Sequence, residues 1–64
     1  MFVIARLTES FNGYEYVSKP GSEKSYTKML QNARVFETWS AAAIEKCGNE
    51  IVLSVESIMK GGAL

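Results

Sequence analysis

Asn12-Gly13 lies between two runs of strand-forming residues, 2–11 and 14–19. It is the dipeptide that most readily supplies the two positive φ angles of a type I′ hairpin turn, so the chain is expected to begin as a two-stranded ribbon. A two-residue loop fixes the register, setting Phe11 opposite Tyr14, Glu9 opposite Tyr16, Thr8 opposite Val17 and Leu7 opposite Ser18. One face then carries Val3, Ala5, Leu7, Phe11, Tyr14 and Tyr16. The other carries Phe2, Ile4, Arg6, Thr8, Ser10, Glu15, Val17 and Lys19. The first face is expected to meet a helix. Phe2 and Ile4 make the second face apolar near the open end, which suits a strand flanked on both sides.

The second half of the chain supplies that helix. Ala33-Arg34-Val35-Phe36 suits a buried strand, Thr38 suits a helix N-cap, and residues 39–47 have the alanine content to continue the helix until Gly48 stops it. The cap is expected without its reciprocal partner, because the third residue after Thr38 is Ala41 rather than Glu or Gln. Trp39, Ala42, Ala43 and Cys47, with Ile44 nearby, form the side expected to be buried, and Ser40, Glu45 and Lys46 the wet side. Residues 50–58 resume a strand pattern in which Ile51, Leu53 and Val55 share the face expected under the helix. Residues 59–64 lack periodicity and are expected to fray. Between the halves, Pro20-Gly21 marks a turn in the loop 19–25. Tyr26, Met29, Leu30 and Ala33 then fall at helical spacing, with Ser25 or Thr27 as the cap of a single turn ending near Gln31-Asn32.

These elements predict one α+β domain over residues 1–64: a small, twisted, largely antiparallel sheet of three to four strands with one main helix on one face. The strand, helix, strand unit can run parallel through a crossover or return antiparallel, since nine helical residues are near the lower limit for a crossover. With 64 residues, the stability margin is expected to be only about 3 to 10 kcal/mol.

Seven Lys and Arg balance seven acids, all of them glutamates, so no global field draws the chain to nucleic acid or anionic lipid. There is no histidine, which removes the commonest general base and metal ligand, and a lone Cys47 excludes an intrachain disulfide. These features point to a reducing, intracellular setting. The apolar residues at the amino terminus are too few for a signal peptide, and no run reaches the length of a membrane span.

Candidate chemistry is sparse. Glu9 with Glu15 and Glu45 with Glu50 are the carboxylate pairs, and both are expected on solvated faces. Cys47, expected in the last helical turn where the helix dipole disfavours a thiolate, is expected to be a buried structural residue. No metal or cofactor is expected, and neither glycine cluster has the spacing of a phosphate loop. The aromatics carry more information. Phe11, Tyr14 and Tyr16 gather at one end of the ribbon where Tyr26 and Trp39 can approach, with Arg6, Lys19, Lys24 and Lys28 as the available cations. Such a group is core, a base-stacking platform, or a protein interface rich in Tyr and Trp.

The segment Tyr26-Thr27-Lys28-Met29-Leu30-Gln31-Asn32-Ala33-Arg34-Val35-Phe36-Glu37-Thr38, followed by Ala42 and by Gly48-Asn49-Glu50 before a valine-containing strand, resembles a loose class of very small bacteriophage and prophage accessory proteins. Those proteins share a hairpin, a Y-T-x-x-L-x-x-A-R-x-F-x-T segment, an acidic helix and a final strand, and the resemblance covers about half the chain. It implies a non-enzymatic protein in the cytoplasm of a bacterial host that binds and inhibits a host protein, including components of bacterial defence. Trp39-Ser40-Ala41-Ala42-Ala43 departs from the usual glutamate-rich helix start and points to a contact surface there. Tyr14, Tyr16 and Trp39 are accordingly the expected protein-binding residues. A nucleic-acid-binding module and a self-associating homodimer are the alternative readings.

Overall fold

A computed structural model describes residues 1–8 and 13–61. Its strands are β1 (Phe2–Thr8), β2 (Gly13–Val17), β3 (Tyr26–Thr27) and β4 (Ile51–Ser54), and its helices are α1 (Trp39–Glu45) and α2 (Val55–Gly61). All strand pairs are antiparallel, in the order β3-β2-β1-β4, and α1 lies on one face of the sheet. The α+β expectation is met, and the segment ending at Phe36 and β4 both run antiparallel to β1, hence parallel to each other, with α1 carrying the chain across β1 between them.

The ribbon forms with a register four residues away from the expected one. Leu7 pairs with Tyr14, Arg6 with Glu15, Ala5 with Tyr16 and Thr8 with Gly13. The expected register would have set Arg6 opposite Lys19, a like-charge pair, whereas the observed one sets Arg6 opposite Glu15. It also brings Ile4 and Val17 into one apolar cluster. A shift by an even number of residues leaves the face assignments intact. The expected two-residue turn at Asn12-Gly13 is not formed, because Gly13 belongs to β2 and pairs with Thr8; residues 9–12, which join the two strands and include Glu9, Ser10 and Phe11, lie outside the described residues.

The helix meets the opposite face from the one expected. Ile4, Phe36 and Ala42 are buried together, with Phe2, Val17 and Val52 packed against them, so α1 covers the face of Phe2, Ile4 and Val17 rather than that of Val3, Ala5 and Leu7. In β4 the residue beneath the helix is therefore Val52, in place of Ile51, Leu53 and Val55. The cause is the entry route. Phe2 and Phe36 exchange both main-chain hydrogen bonds at 2.8 Å, which delivers the chain to Thr38 on that side. The expected strand 33–36 is reduced to two isolated bridges, Ala33 to Ser18 and Phe36 to Phe2, joining the end of β2 to the start of β1.

Local signals account for most of the remaining elements. The Thr38 side chain accepts from Ala41 N at 3.1 Å, as an N-cap should. Lys19-Pro20-Gly21-Ser22 closes a turn with Gly21 at φ +89°, a conformation that glycine adopts without a Cβ penalty. The single turn before residue 33 is a 3-10 turn, Leu30–Asn32, preceded by the unanticipated β3. The expected strand beyond Ser54 is instead α2. Ser54 Oγ accepts from Ser57 N at 3.2 Å, Glu56 stands in the first turn, and Lys60 stands in the last, all favourable to a helix. Residues 62–64 of the expected frayed end lie outside the described residues.

Candidate functional site

The polar side chains of the helix-covered face converge on one small cluster. Arg6 Nε donates to Glu15 Oε1 at 2.9 Å, and its Nη2 lies 2.7 Å from the same oxygen. The guanidinium is stacked on Tyr26, with Cζ 3.5 Å from the ring centroid. The Tyr26 hydroxyl donates to Glu50 Oε2, and Glu50 Oε1 accepts from the Cys47 amide at 2.7 Å. Glu50 N in turn donates to Cys47 O at 3.1 Å, so the carboxylate and the main chain of the same residue staple both ends of the turn 47–50.

This staple overturns two expectations. Glu50 is only 4% exposed, not solvated. Cys47 is exposed and lies beyond the helix, because the Glu50 carboxylate captures the Cys47 amide and Lys46 has already turned to extended backbone at ψ 152°. The helix thus stops two residues early.

Burial opposes the charge on Glu50. The Cys47 amide, the Tyr26 hydroxyl and the nearby Arg6 charge outweigh it and hold the carboxyl below its ordinary value. The hydrogen bond to Glu50, reinforced by burial, pushes the Tyr26 hydroxyl above its ordinary value. Glu45 and Glu50 both line a cleft of about 180 Å³, together with Tyr26, Arg34, Phe36 and Cys47. They do not act as a converging pair, since Glu45 faces Arg34 at 3.9 Å while Glu50 is spent on Tyr26 and Cys47. Among the described residues no three His, Cys, Asp or Glu side chains gather as metal ligands, and no helix is long and apolar enough to cross a membrane.

The expected binding residues are not brought together. Tyr14 and Tyr16 lie on the sheet face away from α1, with Tyr14 exposed and Tyr16 half-buried. Trp39 stands at the start of α1 on the other side and is 57% exposed, and Ile44 on the same helix is 81% exposed, so the side expected to be buried keeps only Ala42 fully covered. On the face away from α1, Val3 and Ala5 are fully buried, while Leu7 at 70%, Tyr14 and Ile51 remain exposed. Arg6 is on the far face from Tyr14 and Tyr16, bound to Glu15, so it does not frame a stacking platform with them.

The Arg6, Tyr26 and Glu50 cluster has no local signature, because helical spacing places Tyr26 in a single turn and Glu50 reads as a solvated residue at the start of a strand. The legible signal was the facing pair of Arg6 and Glu15 once both are placed on one side of the ribbon. Comparison of the chain with protein-family models, with curated proteins and with solved structures gives no match, so the site is read from its own chemistry.

Proposed function

We propose that this chain is a non-enzymatic accessory protein of bacteriophage or prophage type that docks on a host protein and inhibits it, with α1 as the docking element. The observation that carries the reading is the exposure of Trp39 and Ile44 on one short helix, about 7.5 Å of helical rise apart. Large apolar side chains held out on a rigid element are the anchors that protein interfaces use. The cleft supports the same choice. It falls below the roughly 300 Å³ at which small-molecule sites begin. Its buried carboxyl is shifted down, whereas a general acid working near neutrality needs an upward shift. The inhibitory role and the phage setting rest on the resemblance of the segment 26–38.

The test is capture from a bacterial extract by the immobilised chain, compared with a Trp39→Ala, Ile44→Ala double variant. The native chain should retain one protein and inhibit its isolated activity, with binding insensitive to salt. The variant should lose both while keeping its circular dichroism and unfolding midpoint. Equal capture by the two forms, or no specific capture by either, sinks the reading.

A further inference from the structure

The cleft at the end of α1 has an apolar lining of Ile4, Val17 and Phe36 and a charged lining of Arg34, Glu45 and Glu50, so two carboxylates face it for one guanidinium. The three charges are not equally available. Glu50 is 4% exposed, and both its oxygens are taken, by the Tyr26 hydroxyl and the Cys47 amide. Arg34 lies over the Phe36 ring, with Cζ 4.6 Å from the centroid, which occupies one face of the guanidinium. Glu45 is exposed and its carboxylate accepts no hydrogen bond among the described residues. Arg34 Nη1 stays 3.9 Å away, beyond hydrogen-bond distance, and the Lys46 ammonium turns instead to the Cys47 carbonyl at 3.5 Å. Glu45 also follows the exposed Ile44 directly in α1, so a partner that covers Ile44 arrives at the rim of the cleft.

We propose that the protein docked on α1 inserts one long cationic side chain, a lysine or an arginine, into this cleft, with its methylene stem against Ile4, Val17 and Phe36 and its charged head on the Glu45 carboxylate. The inference rests on α1 being the docking element and names the chemistry of what docks there. Size favours a single side chain, since cavities of about 150 Å³ hold one benzene-sized group and this cleft is about 180 Å³. Charge selects which one. An acidic side chain would gain Arg34 against the repulsion of Glu45 and Glu50, and a purely apolar one would take water from Glu45 without replacing it. A cationic side chain lays its stem on the apolar lining while its head stays at the rim. The resulting ion pair is exposed, so it adds selectivity more than affinity and leaves the salt dependence of docking small.

Titration of the isotope-labelled chain with Nα-acetyl-lysine N-methylamide, followed by amide chemical shifts, tests this. The matching norleucine compound keeps the stem without the charge, and the glutamate compound reverses the charge. The lysine compound should shift the amides of Arg34, Phe36 and Glu45 saturably, with a dissociation constant of about 1–10 mM. It should bind about two- to fivefold more tightly than the norleucine compound, and more tightly still than the glutamate one. Glu45→Gln should remove the preference for lysine over norleucine and leave the unfolding midpoint unchanged. The absence of a saturable shift by about 100 mM overturns the proposal. So do shifts that map away from the cleft, equal binding of the three compounds, or a lysine preference that survives in Glu45→Gln. Because the titration uses no partner protein, its failure alongside intact capture by Trp39 and Ile44 removes the cationic side chain and keeps α1 as the docking element.

Discussion

Glu50 is the residue on which local and long-range structure meet, because its carboxylate fixes the exit of α1 through Cys47 and the position of β3 through Tyr26. Glu50→Gln keeps the shape but loses the charge that strengthens both bonds, and should cost about 1–3 kcal/mol in urea unfolding. The pH dependence follows from the direction of the shift. Folding lowers the Glu50 pKa below 4.5, so its contribution is complete above that pH and is lost as pH falls through the folded value. Native stability should therefore drop on acidification below about pH 4.5, and this part of the drop should be missing in Glu50→Gln. Tyr26 behaves in the opposite sense. Its pKa is raised above 10.0, so its contribution holds below that pH and is lost as pH rises through the folded value. Tyr26→Phe should cost about 1–3 kcal/mol and remove one late-titrating phenol from the ultraviolet titration of the folded chain.

At the level of elements, the two helices depend on single hydroxyl caps of different reach. Thr38→Ala removes the bond to Ala41 N and should cost about 1 kcal/mol in the global transition, because α1 supplies Ala42 to the core. Ser54→Ala removes the bond to Ser57 N. Its cost should be similar in size but local, read as faster amide exchange in 55–61 with a nearly unchanged unfolding midpoint, because none of those residues belongs to the buried cluster. The ribbon shows what local chemistry leaves undecided. Asn12-Gly13 favours a tight turn, yet the register follows the opposition of Arg6 to Glu15 and the shared burial of Ile4 and Val17. A turn preference of one dipeptide is outweighed when an apolar cluster and a charge pair agree on another alignment.

For the whole molecule, the core is small enough that one truncation endangers the fold. Ile4 is the largest fully buried side chain among the described residues and shares one buried cluster with Phe36 and Ala42. Ile4→Ala should cost about 2–5 kcal/mol, a large part of the margin available to 64 residues, and should leave the chain substantially unfolded near body temperature by circular dichroism. Substitutions at Trp39 or Ile44 should stay within about 0.5 kcal/mol of native stability, since both are largely outside the core. That contrast is what allows the binding surface to be tested separately from folding.

The amino-acid sequence by itself determined which segments could be strand or helix, the Thr38 cap, the Pro20-Gly21 turn and the division of the ribbon into two faces, because each depends on residues within a few positions of one another. It pointed to the wrong face for the helix to cover, carried α1 two residues too far, to 47, and read strand on to residue 58 where α2 begins at Val55. Val55 and the alternation leading to it read as strand, while the Ser54 cap that makes a helix was visible only as an ordinary serine. Only the tertiary structure decided those points. Phe36 had to pair with Phe2, and Glu50 had to reach Tyr26 across 24 positions, before the chain could settle which side was inside. Interactions between distant positions have no local signature, and in a domain with so little core they set the outcome.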